Sequence, residues 1–152
     1  MEKTPALTIA KYKSFPTSDG GAFSCDVLID GKLAFHVTNG GYGGPDEIDW
    51  SPSGGDKSPV KARVLAWVAT LPPIVFYNKP CSMTLDVVVG DAINTMVTAR
   101  TLKRACAKKT LFRLPTDKPG EWRVIAAPFS DQVRAVVTAG YPGVQVQFAN
   151  AP

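Results

Sequence analysis

The chain has 152 residues, a net charge of +4, 45% hydrophobic and 20% charged residues, the proportions of an ordinary globular domain able to bury a core without staples. No apolar run approaches the ~18 residues of a membrane span, and MEKTPALTIAKYKS carries no leader-like apolar segment, so the expectation is a cytoplasmic protein with no membrane partner. The three cysteines (Cys25, Cys81, Cys106) match no zinc or redox spacing, and their odd number argues against a disulfide framework; reduced thiols, no metal and no cofactor are expected.

In chain order, ALTIAKYK (6–13) has the make-up of a strand, and SFPTSDGG after it reads as a turn. AFSCDVLIDGKLAFHVTN then reads as a hairpin. Phe23, Cys25, Val27 and Ile29 alternate with polar residues, Leu33, Phe35 and Val37 resume the alternation, and Asp30-Gly31 suits a primed two-residue turn. Residues 39–57, with six glycines and two prolines, read as loop. Ser58-Pro59 is a capping pair for a helix in which Val60, Val64, Trp67, Val68 and Leu71 recur at helical spacing, and Pro72-Pro73 stops it. Residues 74–80 read as irregular or briefly extended. A longer helix is expected from about Leu85 to Lys108, with Leu85, Val89, Ala92, Met96 and Ala99 on one face. TLFRLP and WRVIAA are strands around a KPGEW turn. Ser130 caps a short helix, DQVRAVVTA, that Gly140 should end in a left-handed conformation, and VQVQF closes the fold as a strand. The order β-β-β-α-α-β-β-α-β predicts a single α+β domain over 1–152, a mostly antiparallel sheet packed by two or three helices. Phe23, Val27, Val64, Trp67, Leu71, Leu85, Val89, Met96, Val124 and Val146 are the expected core.

Three features bear on chemistry. The first is FHVTNGGYGGPDEIDW, with Gly40, Gly41, Gly43 and Gly44 beside the chain's single histidine, His36. It is neither a dinucleotide fingerprint nor a P-loop, since no helix follows closely and no Gly-Lys-Ser/Thr step occurs. Two readings stay open: a wide turn, or an anion-binding nest in which the glycines and His36 line one pocket with a carboxylate or Lys57. His36-Val37-Thr38 resembles the H-x-[ST] unit of two-histidine phosphoesterases, but that chemistry needs a second histidine as acid partner. Asp46, Glu47 and Asp49 have no spacing that organises a metal site around His36.

The second feature is charge. No acidic residue lies between Asp91 and Asp117, a window holding Arg100, Lys103, Arg104, Lys108, Lys109 and Arg113. At i, i+4, i+8, Arg100, Arg104 and Lys108 would form one positive helix stripe. The helix macrodipole favours cations there for structural reasons; a contact surface for DNA, RNA or an acidic protein patch is the functional reading. The third feature is the aromatic pair Tyr42 and Trp50 within the glycine loop, which would anchor a protein interface if exposed.

AFSCDVLIDGKLAFHVTNGGYGG, with the later TLFRL and WRVIAAPFSDQVRAVV, resembles small uncharacterised proteins of bacteriophages and other mobile elements. In these a hairpin, a D-G-K turn and a G-x-G-G segment precede a basic helix and a short strand. The resemblance covers most of the chain and implies a bacterial or phage cytoplasmic setting. It carries over no catalytic residue; where that family's loop places a histidine between the glycines, this chain has Tyr42. The leading expectation is a binding protein that engages a host or phage protein, for example as an inhibitor of an enzyme or defence complex. A nucleic-acid binder using residues 100–113 comes second, and a nucleotide or phosphate ligand at the glycine loop third.

Overall fold

A computed structural model of the chain describes residues 3–50 and 59–151. Within them lie nine strands and three helices, and every strand pair is antiparallel, so the class is the expected α+β. The chain falls into two compact units, residues 1–95 and 96–152.

The first unit opens with a four-stranded meander: β1 (Leu7–Thr17), β2 (Gly20–Ile29), β3 (Lys32–Asn39) and β4 (Glu47–Asp49), in that spatial order. β1 continues through Pro16 to Thr17, so the expected turn narrows to Ser18 and Asp19. Pro16 is tolerated because β1 is an edge strand, with no ladder partner on its outer side among the described residues. Asp30 (φ 51°) and Gly31 (φ 79°) form the primed turn between β2 and β3. Cys25, Val27, Ile29, Phe35 and Val37 bury one face, as their alternation requires. One extra residue bulges β1 between Ala10 and Lys13, and another bulges β3 at Ala34, which turns both Ala34 and Phe35 inward.

The helix α1 (Pro59–Ala69) begins at the expected proline, while its expected cap, Ser58, lies outside the described residues. Val64 and Val68, one helical turn apart, are its buried residues. Arg63 binds Asp30 at 2.9 Å, and Asp30 also accepts from the Ala6 amide at 3.1 Å, so one carboxylate ties the hairpin turn to α1 and to the chain before β1. β5 (Ile74–Phe76) and β6 (Lys79–Cys81) make a separate small hairpin around Tyr77 and Asn78, both at positive φ.

The helix α2 (Leu85–Cys106) contributes Leu85, Val89 and Ile93 to the buried set; Met96, an expected core residue, is only half-buried. Among the described residues no helix is long and apolar enough to cross a membrane.

In the second unit β7 (Thr110–Arg113) is the centre of a three-stranded sheet, between β8 (Arg123–Ile125) and β9 (Gln147–Phe148). α3 (Asp131–Gly140) starts at Ser130, whose hydroxyl accepts from the Val133 amide at 3.2 Å. It does not end on a left-handed Gly140. Gly140 stays helical, Tyr141 is the cap residue, and the positive φ falls on Gly143 in the next turn. The core positions also shift: Val124 is 57% exposed and Val146 half-buried, while Leu111, Phe112 and Val137 are buried. β7 supplies the buried residues of this sheet, whereas Val124 on β8 is exposed and Val146 lies just before β9.

Candidate functional site

The glycine loop closes on itself. Asn39, the last residue of β3, accepts from the Gly41 amide at 2.8 Å and donates to Asp46 at 2.7 Å and to the Gly44 carbonyl at 3.2 Å. The Gly41 carbonyl accepts from the Thr17 hydroxyl at 2.8 Å. Gly41 has φ +74°, and a Cβ there would stand 2.7 Å from the Ala22 nitrogen and 2.8 Å from the Gly21 carbonyl carbon. The glycine is needed so that the loop can lie against the β1–β2 turn. Gly40, Gly43 and Gly44 meet no such wall, and the Gly41 amide is already spent on Asn39. The loop is therefore a docked turn. Asp46, Glu47 and Asp49 belong to it and to β4, a strand inside the segment read as loop, and no metal-holding group of three occurs among the described residues.

Trp50 is not an exposed anchor. It is 7% exposed, with its ring 4.4 Å from that of Phe35 and Lys61 over its other side at 5.9 Å. Tyr42, 78% exposed, keeps the expected position. The aromatic surface that sequence reading missed is the β5–β6 hairpin, where Val75, Phe76 and Tyr77 are all exposed and the two rings meet edge-on at 4.7 Å. The signal was IVFYNKPC itself, an apolar run around an Asn-containing turn.

His36 does not share a pocket with the glycines. It stands on the outer face of the meander, its Nδ1 2.7 Å from Asp26 Oδ1, while Asp26 Oδ2 meets Lys11 at 3.3 Å. Since a carboxylate only accepts, Nδ1 carries the proton in that bond. The hydrogen bond from His36, and then Lys11, hold the Asp26 carboxyl below its ordinary value. Lys57, the other partner expected there, lies outside the described residues.

The basic window divides into three parts. Arg100, Lys103 and Arg104 lie exposed on the last turns of α2. The helix ends at Cys106, so Lys108 and Lys109 are exposed in the following turn and do not continue a helical stripe. Arg113 is otherwise occupied, with its guanidinium 4.8 Å over the Trp122 ring and Nε donating to Gln147 at 2.7 Å. It lines an open groove of about 590 Å³ together with Leu114, Asp117, Gln145 and Gln147. Asp117 is gripped by Arg123 through two nitrogens at 2.8 and 2.9 Å and accepts from the Leu114 amide, which holds its carboxyl down to about 2. Among the described residues, no carboxylate pairs with Arg100, Lys103, Arg104, Lys108 or Lys109.

Three of the last four carbonyls of α2, those of Lys103, Ala105 and Cys106, are bonded. Asn150 donates to the carbonyls of Cys106 and Lys109 at 3.0 and 2.8 Å and accepts from the Leu111 amide at 2.8 Å. The amides of Ala107 and Lys109 cover the carbonyls of Lys103 and Ala105. Residues 96–152 contain nine Lys and Arg against three Asp and Glu, a net charge of +6, whereas residues 1–95 contain eight against ten, a net charge of −2. The chain matches no protein-family model, no curated protein and no solved structure.

Proposed function

We propose that residues 96–152 bind nucleic acid through its phosphate backbone, in a bacterial or phage cytoplasmic setting. The observation that carries this reading is the exposed set Arg100, Lys103, Arg104, Lys108 and Lys109, unpaired with any described carboxylate in a unit of net charge +6. Phosphates along a strand are the partner that neutralises such a row without needing shaped pockets. Arg113 stacked on Trp122 sets a planar cation and an aromatic ring in the same unit, a combination that suits single-stranded segments.

The test is fluorescence anisotropy with labelled single- and double-stranded oligonucleotides across a salt series. If all five cations meet phosphates, log K falls with log salt at a slope of about −4.5 on duplex, so a fourfold rise in salt weakens binding by about 500-fold. Removing two cations in K103A/R104A should bring the slope to about −2.7. Absent binding, salt-insensitive binding, or a slope unchanged by the double variant would overturn the reading.

The exposed hairpin supports a second reading, a protein-binding module for a host or phage protein. Val75, Phe76 and Tyr77, with Tyr42, are the kind of aromatic-rich surface that anchors interfaces. Here Trp50 plays no part. A protein co-purifying in stoichiometric amount after nuclease treatment, and lost with F76A/Y77A, would favour this reading over the first.

A further inference from the structure

The outer face of the meander carries an open concavity of about 570 Å³, lined by Lys11, Tyr12, Lys13, Ser24, Asp26 and His36. Two features show how it is built. The β1 bulge places Lys11 at φ +50°, a conformation that costs a non-glycine residue about 1 kcal/mol or more, and brings its ammonium to Asp26. Asp26 stands across from His36 in the β2–β3 register and fixes its imidazole through Nδ1. Both carboxylate oxygens of Asp26 are thereby used, Oδ1 by His36 and Oδ2 by Lys11. What the wall still offers is donors: the Lys11 and Lys13 ammonium groups, the Ser24 and Tyr12 hydroxyls, and His36 Nε2, which donates when the ring is protonated. A wall rich in donors, with its one carboxylate satisfied internally, suits a ligand that is all acceptor and negatively charged.

We propose that this concavity binds a small phosphate-bearing ligand, held by Lys11, Lys13 and His36, with Asp26 as the positioning residue for both His36 and Lys11. Glu47 and Asp49 on β4 pair with Thr38 and His36 on the far side of His36, so the ligand sits toward β1. Binding is tighter with the His36 ring protonated, since Nε2 then donates and the ring adds a positive charge. The other titratable groups facing His36 are Tyr12 and the two lysines on β1, Asp26 on β2, and Glu47 and Asp49 on β4.

His36 is the chain's single histidine, so its Cε1–H proton signal needs no assignment. The full chain is titrated with inorganic phosphate at constant ionic strength, at pH 6 and pH 8. The expected result is a saturable shift of that signal, tighter at pH 6 once Kd is expressed on the phosphate dianion, because phosphate itself loses a proton between the two pH values, and a raised His36 midpoint in phosphate. Lys13→Ala, an exposed substitution, should weaken the apparent Kd at least about fivefold, while K79A, on the β6 strand, should leave it unchanged. No shift, a shift that rises linearly without saturating, equal Kd in wild type and K13A, or equal weakening by K79A would each overturn the proposal.

Discussion

Replacing Gly41 by alanine separates a docked turn from a ligand cradle, and Gly43 provides its control. Both glycines have positive φ, +74° and +78°, so each alanine meets the same left-handed strain of about 1 kcal/mol. Only at Gly41 does the new methyl meet backbone, at 2.7 and 2.8 Å. Those atoms belong to Gly21 and Ala22, which pair with Pro16 and Phe15, so they cannot recede without opening the β1–β2 ladder. Overpacking of this kind costs about 1–3 kcal/mol, and pushing the loop away forfeits the Thr17 and Asn39 hydrogen bonds at about 1 kcal/mol each. Gly41→Ala should therefore cost about 2–4 kcal/mol and Gly43→Ala about 1. Urea denaturation followed by tryptophan fluorescence in a Trp122→Phe background reports the first unit through Trp50 and Trp67. Two glycine variants within 0.5 kcal/mol of each other would refute the docking argument.

Trp50→Ala should destabilise the first unit by about 3–5 kcal/mol in the same assay, because it empties the space against fully buried Phe35. Asn150→Ala should cost about 1–3 kcal/mol, read by denaturation monitored through Trp122, since it removes three hydrogen bonds and strands carbonyls at the end of α2. The Asp117 carboxyl is held down by Arg123 and the Leu114 amide, so its contribution to stability is complete above the ordinary carboxylate range and is lost as pH falls through about 2. Carboxyl-carbon NMR should place its midpoint there, and Arg123→Ala should return it toward the ordinary value. Burial pushes the Cys25 thiol up to about 11, with Asp26 adding to the effect. Stability from keeping it neutral is present below the free-thiol value of 9.0 and is lost as pH rises through about 11. At neutral pH a thiol reagent should label exposed Cys81 first and reach Cys25 only on unfolding.

How far the fold was legible depended on where the information resides. The β2–β3 hairpin is written locally: alternation selects the buried face, and Asp30-Gly31 tolerates the turn. The helices likewise carry their own period, and Pro72-Pro73 lies just past the end of α1. β4 is not written in its own residues. Glu47 and Asp49 flank a single Ile48 within a Gly/Pro-rich segment, and only the ladder to Thr38, Val37 and His36 makes it a strand. Trp50 follows from the same pairing, because β4 delivers it beside Phe35. The two bulges are also invisible to a period-2 reading, and one of them sends Lys11 to Asp26. As for the candidate site, the exposed cations were legible as charge, but where α2 ends was not. Ala105 and Ala107 are strong helix formers with no stop signal beside them, and it is Asn150, more than forty residues on, that binds the carbonyl of Cys106.

That helix end is also what separates structural cations from the rest. Elsewhere in the chain, several basic residues that hold the fold have a carboxylate within reach: Lys11 with Asp26 at 3.3 Å, Arg63 with Asp30 at 2.9 Å, Arg123 with Asp117 at 2.8 Å. Arg100, Lys103, Arg104, Lys108 and Lys109 have none among the described residues. The usual structural account is the macrodipole, but its benefit is about 0.3–1 kcal/mol and falls off within the last turn. It covers Lys103 and Arg104 and does not extend to Lys108 and Lys109, which lie past Cys106. Of the carbonyls that would draw these cations, those of Lys103, Ala105 and Cys106 are already bonded by the amides of Ala107 and Lys109 and by Asn150. Five like charges within ten residues repel one another, a cost that only screening or a bound polyanion relieves. The macrodipole therefore accounts for two of the five cations, and the proposed phosphate-bearing partner would account for the cluster as a whole.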